Sequence, residues 1–289
     1  MTPDFFRDCL QKGDYEQLYQ KTSNRFKKKV SNQEFHTILS TFFEKQPTLT
    51  LQSRFIHDQE TEYSWIDESK TRGVVALFQD EGTISGMYVL PLTNKVEPNH
   101  AWTKNNYYLP FTDKWFTYWG GDNELVNYHY TSPHQRHAYD FIKHNGRKSH
   151  DGPATKNRSY LAFGKPVIAS APGRVVEAIT HVPDNKPVGK MNEKQPLGNY
   201  VVIEHEHGEY SFTAHLQQFS VLVRVGESVK AGQKIGNCGN SGNSSEAHIH
   251  FQVSDGPDFQ SSTSLRIQFQ TAIAPIRGQF INSDQNPRT

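Results

Sequence analysis

Two histidines one residue apart, His248 and His250, lie in the stretch GNCGNSGNSSEAHIHFQV from Gly236 to Val253. A Gly/Asn/Ser loop runs into them. The residues that follow, Phe251, Gln252 and Val253, alternate and carry β-formers, which predicts a strand. Side chains on a strand repeat every two residues, so both imidazoles face the same way. Two imidazoles a few ångströms apart on a rigid strand suit a metal site, or a metal ligand beside a proton-handling group. Taken alone, the pair reads equally well as ordinary surface histidines.

A second group lies upstream. WGGDNELVNYHY (119–130), Thr131-Ser132-Pro133 and HQRHAYDF (134–141) predict a strand, a turn and a second strand. On that second strand Asp140 shares a face with His134, Arg136 and Ala138, while His137 points the other way. A carboxylate beside Tyr139 and Phe141 must be paired, coordinated or exposed, so Asp140 is either a metal ligand or the partner of Arg136. His205 and His207 share a strand face at what reads as an exposed hairpin end, and are expected to be solvated. His144, His150 and Asp151 occupy another polar loop and offer at most a stray metal site. The long Pro-rich loop 181–197 either shapes a groove or is disordered.

The elements that must position these groups follow from the rest of the chain. At 289 residues it is long enough for two domains with their own cores. A net charge of +1 announces no polyanion-binding surface, and the FKKK run at 26–29 reads as a solvated helix end, so nucleic acid is not an expected partner. The 18 Phe and 13 Tyr suit a β-rich protein. No apolar run approaches the ~20 residues of a membrane span. No signal peptide is visible at MTPDFFRDCLQKGDYEQ, which leaves open the cytosol, or a leader removed before the numbering begins. Cys9 and Cys238 are expected to be free thiols in different domains.

Residues 3–46 read as helical. Phe5, Phe6, Cys9 and Leu10 mark one apolar face. Asp14 and Gln17 stand in capping-box positions with Tyr15, Leu18 and Tyr19 inward. Ser31 and Glu34 form a cleaner box ahead of Phe35, Ile38, Leu39, Phe42 and Phe43. Residues 47–92 then give four strands joined by polar turns, which makes 1–93 an α+β domain. Its closing GTISGMYVLP resembles the small cone-shaped, nuclear-transport-factor-like domains, and an accessory role is expected. Residues 94–106, with Pro98, Asn99, Asn105 and Asn106, read as a linker, and 107–289 as a mostly-β domain. SLRIQFQTA (264–272) is expected to close its sheet.

Four blocks in order, GKPVIASAPGRVVEA, GNYVVIEHEHGEYSFTAHL, VRVGESVKAGQKIG and GNSGNSSEAHIHF, resemble the lysostaphin-type zinc endopeptidases that cut peptidoglycan peptides. The resemblance covers roughly 120–255. It implies an antiparallel β-sheet with a narrow groove and a zinc ion on the groove floor. It implies that Asp140 and His250 are zinc ligands. His248, with His215 of TAHL, then orients and activates water and steadies the oxyanion. One carboxylate and two imidazoles would leave a tetrahedral zinc with an open position. Asn199 and Tyr200 begin a strand that lines the groove in the family, so they read either as substrate contacts or as turn and packing residues.

One departure matters. Four residues before Asp140 the family has histidine; this chain has Arg136, whose permanently protonated guanidinium does not ligate zinc. His129, in NYHY, is expected to reach the metal from the neighbouring hairpin strand. His134, on the face of Asp140, is the alternative. In a third case the metal is lost and Arg136 pairs with Asp140.

The resemblance therefore implies a zinc endopeptidase acting on peptidoglycan peptides in the cell envelope or outside the cell. The rival is an inactive member that binds the cell wall or a protein partner. VRVGESVKAGQKIG also resembles biotinyl and lipoyl carriers, but Lys230 lacks the flanking pattern of either.

Overall fold

The computed structural model describes residues 1–43, 45–93, 101–270 and 274–283. The chain divides into two compact units, Met1–Val96 with Asn123–Val126, and Glu97–Asp122 with Asn127–Thr289.

The first unit is α+β. Helix α1 (Pro3–Lys12) starts where Thr2 accepts a bond from the Phe5 amide and stops at Gly13, whose φ of 72° is the left-handed conformation that glycine adopts freely. Helices α2 (Tyr15–Gln20), α3 (Asn24–Lys27) and α4 (Asn32–Phe42) follow. At α4 both halves of the expected capping box form between Ser31 and Glu34. At α2 the box does not form, because the Asp14 carboxylate accepts from the Gln17 side chain instead of the backbone. Strands β1 (Leu49–His57), β2 (Glu60–Asp67), β3 (Arg72–Gln79) and β4 (Ile84–Pro91) make an antiparallel meander in sequence order. Phe6, Leu10, Leu18 and Leu39 pack with Trp65, Val74, Phe78 and Ile84 to form the core. Phe5 and Ile38, expected to face inward, are exposed.

The second unit is mostly β, with antiparallel pairing in its main sheet, as the sequence predicts. Its strands are β5 (Trp102–Tyr107), β6 (Lys114–Trp119), β7 (Tyr139–Ile142), β8 (Pro166–Ile168), β9 (Gly173–Ile179), β10 (Asn199–Glu204), β11 (Tyr210–Leu216), β12 (Ser228–Val229), β13 (Lys234–Asn237), β14 (Ile249–Ser254), β15 (Arg266–Phe269) and β16 (Phe280–Asn282). Eight form one sheet in the order β12-β9-β10-β11-β14-β7-β6-β16. Tyr139, Phe141, Ile249, Phe251 and Val253 turn one face of its centre into the main core. Phe141 and Phe251 are wholly buried, and each contributes about 1.5–3 kcal/mol by leaving water. The other face carries Asp140, His250 and Gln252. Strand β14 is buried at every position, so its polar side chains must find partners inside the protein.

Three expectations are corrected here. Residues 101–106 are not linker throughout, because β5 pairs in parallel with β15; residues 94–100 lie outside the described residues. Arg266–Phe269 therefore makes a separate two-stranded sheet, and β16 borders the main one. The two strands expected over 119–130 and 134–141 shrink to β6, ending at Trp119, and β7, beginning at Tyr139. Between them Gly120-Gly121, Asp122-Asn123 and Pro133 favour turns over pairing, and a 3₁₀ turn spans Tyr128–Thr131.

Candidate metal centre

Asp140 and His250 are cross-strand neighbours, directly opposite each other in the β7–β14 register. Opposed residues project to one face with Cβ atoms about 4.5–5.5 Å apart. This brings His250 Nδ1 to 2.9 Å from Asp140 Oδ1. His129 arrives from the 3₁₀ turn, not from a hairpin strand as expected, and its Nε2 lies 3.1 Å from Asp140 Oδ2. One ligand atom from each of the three residues lies within 4.8 Å of the others, and all three residues are buried. Two ligands about 2.0–2.1 Å from a tetrahedral zinc stand about 3.3 Å apart, and the 2.9 and 3.1 Å spacings of His250 and His129 from the Asp140 oxygens lie close to that.

Hydrogen bonding behind the cluster also fits a cation. The Gln252 Nε2 group donates to the His134 carbonyl at 2.8 Å and to Ser254 Oγ at 3.0 Å, which aims Gln252 Oε1 at His250 Nε2, 3.1 Å away. His250 Nε2–H must donate there. Its Nδ1 then faces the Asp140 carboxylate, and a lone pair against a carboxylate is repulsive unless a proton or a metal stands between them. Burial alone would raise the Asp140 carboxyl, but the imidazoles of His129, His248 and His250 outweigh it and hold the group well below the carboxylate range, so it is ionised. Burial lowers the His129 imidazole, which favours the neutral form a metal requires.

Two further imidazoles border the cluster. His248 Nδ1 donates to the Glu246 carbonyl at 2.8 Å, leaving Nε2 3.7 Å from Asp140 Oδ1. His215 Nδ1 donates to the Ser241 carbonyl at 2.8 Å, and its ring centroid lies 4.6 Å from that of His248. A carbonyl only accepts, so each neutral ring keeps its lone pair on Nε2. By simple alternation His215 would face the core, because its neighbour Ala214 is the residue opposite His250. A register break between β10 and β11, together with a φ of 61° at His215, turns the ring onto the site face. Burial, reinforced by His248 and His250, holds His215 well below the ordinary histidine value.

The loop that delivers His248 is tightly built. Gly242 has a φ of 79°, and a Cβ there would lie 2.4 Å from the Gly198 amide nitrogen. The space above the cluster extends both ways. On one side lie Tyr128, His129, Pro196, Leu197, Asn243 and Phe259, so the end of the 181–197 loop helps shape it. On the other lie Tyr118, Trp119, Tyr128, Ile142, Glu246 and His248.

The other candidates are placed elsewhere. The third case, in which Arg136 pairs with Asp140, is not what the structure has: Arg136 Nε donates to the Tyr130 carbonyl at 2.9 Å, and among the described residues the ion pairs of Asp140 run to histidines. His134 is outside the three-residue group; its ring meets Phe259, because residues 134–137 form turns and the unbroken strand that would aim it at Asp140 is absent. His137 is buried beside Asp122. His205 is not solvated: Nδ1 donates to the Pro172 carbonyl, Nε2 meets Ser211 Oγ, both at 2.8 Å, and burial lowers its pKa. Asn199 has no exposed surface and ties Val182 to Leu216. His144 stacks on Phe116, and His150 meets the Tyr160 ring at a tilt; neither belongs to the three-residue group. Gln252 and Asn127, which orient the cluster, went unnoticed in the sequence. Gln252 is the one with a local signal, being two residues beyond His250 on the same strand face.

Residues 159–261 match peptidase family M23. His215, His248 and His250 fall inside that stretch, and His129 and Asp140 precede it. The chain is 37% identical over 90 residues to Lipoprotein NlpD of Yersinia enterocolitica, covering 31% of this chain and 77% of the relative. It is 34% identical over 94 residues to Peptidoglycan DD-endopeptidase ShyA of Vibrio cholerae, covering 32% of this chain and 18% of the relative. It is 37% identical over 90 residues to Murein hydrolase activator NlpD of Escherichia coli, covering 31% and 20%. The match thus spans about a fifth of the length of the ShyA and Escherichia coli proteins. With the four motif blocks and the clustered histidines in place, the chain belongs to peptidase family M23.

Proposed function

We propose that the second unit is a zinc-dependent endopeptidase that hydrolyses amide bonds in peptidoglycan peptides, and that it acts in the cell envelope or outside the cell. The observation that carries this is the buried group of Asp140, His129 and His250, flanked by two imidazoles whose Nε2 lone pairs are free of their carbonyl partners. Asp140, His250 and His129 would hold the ion. Zinc held there supplies Lewis acidity, which acidifies water and polarises a scissile carbonyl. His248 and His215 take a proton from water on Nε2, and afterwards deliver it to the leaving amine. Their Nδ1–H bonds to the Glu246 and Ser241 carbonyls fix each ring in the tautomer that can do so. An extended chain would lie in the space on either side of the cluster, with its amide over the histidines. ShyA is named a peptidoglycan endopeptidase, which supports the substrate class.

The test is direct. Protein purified without added zinc is assayed for metal content, and the loaded protein is incubated with peptidoglycan fragments followed by mass spectrometry. One zinc per chain and new free amines, both removed by a chelator, are expected. Metal binding without any cleavage favours a second assignment, a non-hydrolytic member that binds the wall or a hydrolase. Two observations favour that assignment: Arg136 stands where the family motif has histidine, and the Escherichia coli relative is named an activator.

A further inference from the structure

Arg136 has a position and a partner that the loss of a ligand alone does not explain. It lies four residues before Asp140, and its guanidinium reaches back to the Tyr130 carbonyl, inside the 3₁₀ turn that bears His129. Its Cζ lies 5.6 Å from the centre of the Tyr130 ring. Its own carbonyl, with those of Ala138 and Gly121, accepts from a single amide, Asn127 Nδ2, at 3.1, 3.1 and 3.2 Å. The Oδ1 of that same side chain accepts from the His129 backbone N–H at 3.1 Å. Asn127 has no exposed surface. One buried amide thus joins the start of the His129 turn to the segment that leads into β7 and Asp140. The Tyr128 ring, 3.9 Å from that of His129 between centroids, limits its rotation.

We infer that Asn127 and Arg136 are positioning residues that install His129 as a substitute metal ligand: the residue in the usual ligand's place clamps the turn that supplies its replacement. This rests on the zinc assignment above. The physical reason is geometric. A 3₁₀ turn has few backbone bonds of its own, and a ligand on it wanders unless side chains tie it down. Asn127 supplies four such ties and Arg136 a fifth, all ending on backbone atoms, so they fix where the chain runs.

The test is a double-mutant cycle read by zinc affinity, from competition with a chromophoric chelator, and by the visible spectrum of the cobalt(II) protein. Asn127→Asp keeps the acceptor for the His129 amide and loses both amide donors; Arg136→Met is the milder variant if that protein folds poorly. Each is expected to weaken zinc binding about 10–100-fold, as outer-shell partners do, and to change the cobalt spectrum. In a His129→Ala background the same substitutions are expected to leave zinc affinity unchanged within about twofold, because the ligand they position is gone. Persistence of the loss in that background, or no loss in the single variants, overturns the inference. If the unsubstituted protein binds no zinc, the underlying assignment is what fails.

Discussion

Replacing His129 by alanine is the sharpest test of the metal centre. Structural zinc sites with four protein ligands bind with roughly 10–16 kcal/mol, about 3 kcal/mol per ligand if shared evenly. At 1.4 kcal/mol per decade, losing one of three ligands is expected to weaken zinc binding by about two orders of magnitude. The fold itself should survive. Asp140 keeps the His250 ring at 2.9 Å and the His248 ring at 3.7 Å, so the pocket around it stays polar. The metal-free protein loses one bond to an ionised group, about 1.5–3 kcal/mol, plus a packing defect where Tyr128 met the ring. Zinc at a hundred times its Kd stabilises the native state by about 2.7 kcal/mol, so the unsubstituted protein should melt several degrees higher with zinc than with chelator. His129→Ala should keep only about 0.4 kcal/mol of that increment at the same zinc concentration, and His134→Ala should keep all of it. Zinc affinity unchanged within threefold in His129→Ala, or lost in His134→Ala, refutes the ligand assignment.

Gln252→Leu removes the acceptor that fixes the His250 tautomer and the donor to the His134 carbonyl; zinc affinity should fall about 10–100-fold, and chelator-treated protein should lose about 1–3 kcal/mol by urea unfolding. If, as proposed, His215 and His248 handle protons and do not hold the ion, His215→Ala and His248→Ala should keep zinc, by metal analysis, while cleavage of peptidoglycan peptides falls about 10²–10⁴-fold. Burial keeps the folded pKa of His205 below its ordinary 6.5, so the unfolded chain takes the proton first as pH drops; stability is full above about 6.5 and falls below it until the folded group titrates. Comparing His205→Gln with the unsubstituted protein by urea unfolding at pH 7.5 and 5.5 should show a smaller loss in the variant. Gly242→Ala forces a Cβ against the Gly198 amide at a φ of 79° and should cost more than about 1 kcal/mol in thermal unfolding, with weaker effects of His248 substitution on what remains.

The division between sequence and tertiary structure follows the range of the forces involved. The mostly-β class, the four strands of the first unit and the Ser31–Glu34 capping box depend on residues a few positions apart, and periodicity shows them directly. So does the common face of His248 and His250, because strand parity is a local rule. The pairing of Asp140 with His250, 110 residues apart, depends on the register of β7 against β14, which only the assembled sheet sets. Parity alone would have turned His215 away from the site, because an extra residue in β11 reverses the face, and it failed at His134, where turns replace the strand that parity assumed. Alternation carried the expected strand back through 134–138, but HQRHA holds no strong strand former, and the backbone there turns at Pro133 and is held by Asn127, whose buried amide bonds the Arg136 and Ala138 carbonyls. His205 was missed for a similar reason: an EHEHG run reads as polar surface until the Pro172 carbonyl and Ser211 hydroxyl arrive from other segments to satisfy both ring nitrogens. The residue types that carry chemistry were legible from the sequence alone, whereas which of them meet was decided by sheet register and by side chains that bond to distant backbone.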